Sequence, residues 1–270
     1  MSPKKKLTPW EKEWALLVKK ENQWLAQNAQ YKPSALNRLL EGKVPPKLQH
    51  TLEGAFLKAF GLIFDKGAPL LERTFSPETL QRQNQVDRYA AQVQQNRKAL
   101  KTCAKRSGRA GTVNLMLSGA EGVVLGALGV GIPDIPLFTS LLLRSLYEMA
   151  CHFGFPYDTP EERYFQLLLI RGALSFGGEL EECDRALNEF AAHPVLPEPC
   201  DRNAELETTA RALSRQLLYM KFLQGVPLVG VAGGAYDAVC LHRIQKFARL
   251  KYQRRLLLAQ AGHLAPKPVE

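Results

Sequence analysis

The chain lacks most of the features from which a reaction is usually read. Its five cysteines, Cys103, Cys151, Cys183, Cys200 and Cys240, are odd in number and scattered, and no two form a Cys-x-x-Cys pair. That excludes a zinc ribbon and a secreted disulfide framework, and reads as free thiols in a reducing cytosol. The five histidines, His50, His152, His193, His242 and His263, show no metal-ligand spacing, so no metal is expected. There is no Gly-x-Ser-x-Gly nucleophile elbow, and no glycine-rich loop ends in Gly-Lys-Ser/Thr; no cofactor is expected either. Period-2 alternation between hairpin turns is missing, which removes the sheet classes. No stretch reaches the roughly 18 uncharged apolar residues of a confident membrane span. Met1-Ser2-Pro3-Lys4-Lys5-Lys6 has the charge of a signal-peptide start, but Trp10-Glu11-Lys12-Glu13-Trp14 is too charged to be the apolar part of one.

What is present is helical. Thr8-Pro9-Trp10-Glu11 combines a cap, a proline for the first turn and an acid three residues after the cap. Trp10, Trp14, Leu17 and Trp24 then fall close to one face, which reads as a packing stripe. Pro33 and Pro45-Pro46 break the chain, and apolar spacing resumes from Lys47 to Phe64. Ser76-Pro77-Glu78 opens a polar helix toward Arg106. Thr159-Pro160-Glu161-Glu162 repeats the cap signature and opens a helix through Leu174. Further helices are expected over Leu180–Phe190, Asn203–Phe222 and Tyr236–Ala259, with a proline-rich loop from His193-Pro194 to Pro199.

Two apolar segments are rich in glycine. Gly122 to Pro133 is bounded by Glu121 and Asp134; Phe222 to Tyr236 is bounded by Lys221 and Asp237. Glycine inside a water-exposed helix costs about 1 kcal/mol against alanine, so such runs need a reason. The pairs Gly122–Gly126 and Gly230–Gly234 have the spacing of close helix–helix contact. Tight packing in a soluble bundle and shallow membrane insertion both fit.

The net charge is +10, from 36 Lys and Arg against 26 Asp and Glu, and a polyanionic neighbour follows from it. One block, Gln81–Gly111, carries Arg82, Arg88, Arg97, Lys98, Lys101, Lys105, Arg106 and Arg109 against Asp87. Another carries Arg243, Lys246, Arg249, Lys251, Arg254 and Arg255 with no acid. The first block precedes the first glycine-rich segment and the second follows the other one. Basic clusters flanking apolar segments suit the inner face of a membrane, where each cation contributes about 1 kcal/mol against anionic lipid. Solvated helix faces would look the same. Nucleic acid is the weaker partner, since no recognition motif or run of interleaved aromatics accompanies the charge. Between Asp158 and Glu189 the chain is acidic instead, with eight Asp and Glu against Arg163, Arg171 and Arg185.

Three motifs stand in order: Gly131-Ile132-Pro133-Asp134-Ile135-Pro136-Leu137 with Leu141-Leu142-Leu143-Arg144; Tyr147-Glu148-Met149-Ala150-Cys151-His152-Phe153-Gly154-Phe155 with Pro160-Glu161-Glu162; and Val226-Pro227-Leu228-Val229-Gly230 with Gly233-Gly234-Ala235 before a basic helix. Together with Val44-Pro45-Pro46-Lys47 they resemble the EcsC family over about Val44 to Leu257. Pro156-Tyr157-Asp158 departs from the Asp-Pro frequent in the family at that point, and Asp237 stands where an Asn is expected. The family is named after a gene beside a bacterial ABC exporter. The resemblance therefore implies a bacterial helical protein at the cytoplasmic face of the inner membrane, with a membrane protein such as an ABC transporter as a partner. It implies no reaction.

An all-α, bundle-like domain with two glycine-rich central helices is thus expected over 44–260, preceded by a helical extension (1–43) and followed by a disordered tail (261–270). Its function reads as that of a membrane-associated accessory or interaction protein. The alternative is a hydrolase built on Asp134, Arg144, Glu148 and His152. The last three are spaced four apart on one helix face and read either as an ion-pair stack or as a base with its partners. Asp134, between two prolines, reads either as that helix's cap or as the acid.

Overall fold

The computed structural model describes residues 7–32, 38, 40–66, 78, 82, 134–224 and 233–264. Among them are seven helices and no strand: α1 (Pro9–Gln27), α2 (Pro46–Lys66), α3 (Asp134–Phe153), α4 (Pro160–Leu174), α5 (Gly177–Ala192), α6 (Arg202–Gln224) and α7 (Gly233–Leu264). They form the all-α single domain that the pattern predicts.

Local chemistry sets several helix ends. The Thr8 hydroxyl accepts from the Glu11 amide at 3.1 Å while the Glu11 carboxylate accepts from the Thr8 amide at 2.7 Å. That reciprocal pair satisfies two orphan donors of α1. Thr159 accepts from the Glu162 amide at 3.2 Å and Pro160 takes the first turn of α4. Between α4 and α5 the chain turns at Gly177, whose φ is +55°. A side chain there would be strained, and its Cβ would also sit 3.2 Å from the Ala29 carbonyl oxygen. The Gly177 amide uses this closeness, donating to the Asn28 carbonyl at 3.1 Å.

Helix α4 is buried on nearly every side. Phe165 to Ile170 are all buried, and α4 packs against α5, α6 and α7. Helix α7 is the hub, touching α1, α3, α4, α5 and α6. It runs antiparallel to α1, from the Trp10 indole donating to the Leu257 carbonyl at 2.9 Å to Arg243 donating to Asn28. It is antiparallel to α4 as well, with Glu162 beside Arg255 and Ala173 beside Arg243. Helix α2 packs on α3 and α6. One core runs through the whole, from Leu17 and Trp24 of α1 to Leu256 and Leu257 of α7.

The core spans the expected boundary at residue 44. Proline-marked breaks interrupt the helices, but the tryptophan stripe of α1 is completed by α7: Trp24 stacks on Phe247 with centroids 5.3 Å apart. α1 thus shares one core with α7 and touches α5 as well.

Candidate functional site

Among the described residues, a cluster of charged side chains lies inside the domain. Lys251 is fully buried on α7; its ammonium donates to Glu21 at 2.9 Å and Asn188 at 2.8 Å, and forms an ion pair with Asp184 at 2.5 Å. Its three partners come from two helices, one from α1 and two from α5. Arg254 grips the same Glu21 with two nitrogens, Nε at 3.0 Å from Oε1 and Nη2 at 2.6 Å from Oε2. Asn188 closes the ring by donating to the second oxygen of Asp184 at 2.8 Å. Two carboxylates and two cations leave the cluster neutral, the condition under which buried charge is tolerated.

One turn further along α7 is a second cluster. Arg255 Nη1 donates to Glu162 Oε2 at 2.8 Å, and the Tyr252 hydroxyl donates to Glu162 Oε1. The guanidinium lies over Phe155 at 4.2 Å and Phe165 at 4.4 Å from the ring centres, with Phe190 and Tyr252 slightly further away. Glu162 holds its proton above the ordinary glutamate value of 4.5, because loss of water outweighs the help of Arg255 and Tyr252. Burial likewise drives the Tyr252 phenol well above its ordinary value, so it remains a donor. This cluster lies at the edge of a groove of about 600 Å³, lined by Phe155, Phe190, Ala192, Pro194, Leu258 and Arg255 among others.

These placements correct the reading of the second basic block. Lys251 and Arg255 are buried, and a fully covered cation cannot reach an anionic surface. Arg254 is committed to Glu21 and stacks over Trp14 at 4.9 Å. Arg243 donates to the Ala173 carbonyl at 2.6 Å and the Asn28 side chain at 3.1 Å, stapling the ends of α4 and α1. Half-buried Arg249 has its pKa pulled down by burial. Only Lys246, lying 5.7 Å over the Trp24 ring, has an exposed position.

The acid–base candidates fall on α3. Arg144 and Glu148 are buried and joined at 2.9 Å, the ion-pair stack the spacing allows. His152 is half-buried one turn on. Neither the groove above nor a smaller one of about 220 Å³, beside Tyr164, Cys200 and Glu205, is lined by any of these three. Asp134 begins the helix as its first residue. No group of three or more His, Cys, Asp and Glu among the described residues could hold a metal. Arg97, Lys98, Lys101, Lys105, Arg106, Arg109, Gly122, Gly126 and Gly230 lie outside the described residues, and Gly234 sits in the first turn of α7.

The residues that sequence reasoning missed are the partners: Glu21, Asp184, Asn188, Glu162 and Tyr252. One signal did point to Glu162 and Asp184, the acidic stretch from Asp158 to Glu189, whose charge is opposite to that of α7. Once the internal pairs are recognised, the charge divides unevenly. The described residues hold 24 Lys and Arg against 22 Asp and Glu; the rest of the chain holds 12 against 4. The basic excess thus belongs to the segments around 4–6 and 88–109, not to the helical core.

A compact all-α domain with a neutralised internal charge network, and without a metal cluster or membrane-spanning helix among its described residues, defines a class of helical module rather than a reaction. Comparison with protein families identifies the module: the model of the EcsC protein family matches residues 8–257, and the chain belongs to that family. The match takes in α1, in keeping with its place in the core. No curated protein and no solved structure matches the chain.

Proposed function

We propose that this protein is a membrane-apposed helical accessory protein, held against an anionic surface by the basic segment around 88–109 and the apolar segment that follows it. The observation that carries this reading is the division of charge. A helical core with a net charge of +2 is joined to segments holding the remaining +8. Seven Lys and Arg between Arg88 and Arg109 precede the uncharged stretch Gly122–Pro133. Cations at a lipid surface contribute about 1 kcal/mol each, and an apolar segment adds attachment that salt does not screen. The packing of α3 on α7 supports the same reading, because α3 directly follows the first glycine-rich segment and α7 begins in the last residues of the second.

Co-sedimentation with vesicles of mixed anionic and neutral lipid tests it. Wild-type protein is expected to bind at low salt and to keep part of that binding at about 1 M salt. Replacing Arg97, Lys98, Lys101, Lys105, Arg106 and Arg109 with Gln is expected to lower binding while leaving the circular dichroism of the core unchanged. Failure of the wild type to bind anionic vesicles, or tighter binding to RNA or DNA than to vesicles, overturns the proposal.

A further inference from the structure

The groove beside Arg255 has a feature that its walls do not explain. A guanidinium carries five N–H donors. Arg255 is buried, yet among the described residues the Glu162 carboxylate is the one acceptor it reaches, through Nη1. Its faces are taken up by Phe155 and Phe165, which hold the plane in place but accept no conventional hydrogen bond. Its other nitrogens are not among the fully covered, unpartnered polar atoms, so they stay open to a partner, and Arg255 lines a groove large enough, at about 600 Å³, for a small molecule.

The lining also indicates what kind of molecule fits. Phe155, Phe190, Ala192, Pro194 and Leu258 present an apolar wall. The charged groups that line the groove are Arg255, Glu162 and Glu161. Glu162 already balances Arg255, and Glu161 adds a further negative charge, so an anion would enter against a surplus of carboxylate. A neutral acceptor suffers no such repulsion. A carbonyl oxygen, planar and with two lone pairs, suits a rigid fork of N–H donors.

We infer that this groove binds a neutral apolar molecule bearing one carbonyl group, such as a fatty acyl amide or ester, whose oxygen accepts from the N–H groups of Arg255 that Glu162 leaves uncommitted. The site is separate from the membrane reading, and its test uses soluble monomers with no vesicle present. Octanamide and octanoate share a body and differ in charge. Each is titrated into full-length protein carrying nitrogen-15 arginine, and the Arg255 side-chain resonances are followed. Octanamide is expected to shift them saturably and to bind about tenfold more tightly than octanoate, a gap of about 1.4 kcal/mol. Ala192→Phe places a ring in the groove from an exposed position at the end of α5, so it is expected to weaken octanamide binding about tenfold or more with thermal stability unchanged. Three results each overturn the inference: no saturable shift in the folded wild type, octanoate binding as tightly as octanamide, or full octanamide affinity in Ala192→Phe.

Discussion

Replacing Lys251 with methionine tests the internal reading of the basic helix most directly. Methionine keeps the length and apolar stem of lysine while deleting the ammonium. At 2.9 Å and an effective dielectric of about 20, one carboxylate attracts the ammonium by about 6 kcal/mol. With Asp184 at 2.5 Å, the two carboxylates together supply about 12 kcal/mol of gross attraction, most of it offset by desolvation of three ions at several kcal/mol each. The variant does not forfeit the gross figure. Glu21 keeps the bidentate Arg254, whereas Asp184 keeps Asn188 as its remaining hydrogen-bond donor. Stranding one buried carboxylate in this way costs about 3–5 kcal/mol. At about 2–4 °C per kcal/mol for a domain of this size, the melting temperature is expected to fall by about 10 °C. The assay is urea unfolding followed by circular dichroism, with scanning calorimetry as a check. The triple variant Lys251→Met, Asp184→Leu, Asn188→Leu removes the stranded groups together, and it is expected to recover most of the loss. A Lys251→Met variant within 1 kcal/mol of wild type would refute the reasoning, since an exposed lysine behaves that way and a buried one with three partners does not.

Other expectations follow from the same packing. Arg255→Met leaves Glu162 uncompensated and is expected to cost about 3 kcal/mol or more, whereas Arg255→Met with Glu162→Gln should cost clearly less; a double-mutant cycle with no coupling would count against the pair. Glu162 is an acid whose folded-state pKa is raised, so the folded chain retains its proton to higher pH than the unfolded chain. Its contribution to stability is then largest at or below about pH 4.5 and declines as pH rises through the folded value; a carbon-13 titration of its carboxyl with a midpoint below 4.5 would contradict this. Gly172→Ala places a Cβ at 3.0 Å from the Phe247 ring and 3.1 Å from the Cys183 Cβ, and is expected to cost about 1–3 kcal/mol by overpacking, read from the urea midpoint. Thr8→Ala removes the hydroxyl half of a capping box and should cost about 1 kcal/mol, whereas Thr8→Ser should cost much less.

Local features were legible in the sequence and distant pairings were not. The span of α4 follows from Thr159, Pro160 and the end of the apolar run, because a cap and a first-turn proline act over a few residues. α1 was legible as a helix with a packing stripe, but not as part of the core, since its covering surface is contributed by residues some 240 positions away. The charge clusters failed to show for the same reason. Glu162 stands in a helix-start motif, where an acid is expected near the positive end of the helix dipole. Its amide serves that motif, while its side chain turns inward to Tyr252 and Arg255. Six cations without an acid within one stretch of helix read as surface because lysine and arginine are seldom buried unless paired. The partners come from α1, α4 and α5, and periodicity carries no information about them. The α3 ladder was legible because both members lie on one helix, four residues apart.

The position of α7 as hub has a consequence for how the chain is made. Synthesis proceeds from the N-terminus, and α1 leaves the ribosome with its tryptophans and Glu21 lacking the surface that will cover them. Among the described residues, most of that surface comes from α7, some two hundred residues later. The contact between Trp10 and Leu257 spans 247 positions, and such distant closures slow folding by the entropy of the loop they must close. The nascent protein therefore remains incomplete until its last helix emerges. A stop codon anywhere before that helix releases a chain whose acids have lost their counter-ions and whose apolar stripes have lost their cover, a natural substrate for chaperones and proteases. Whether this fold closes is decided, during translation, by a single helix.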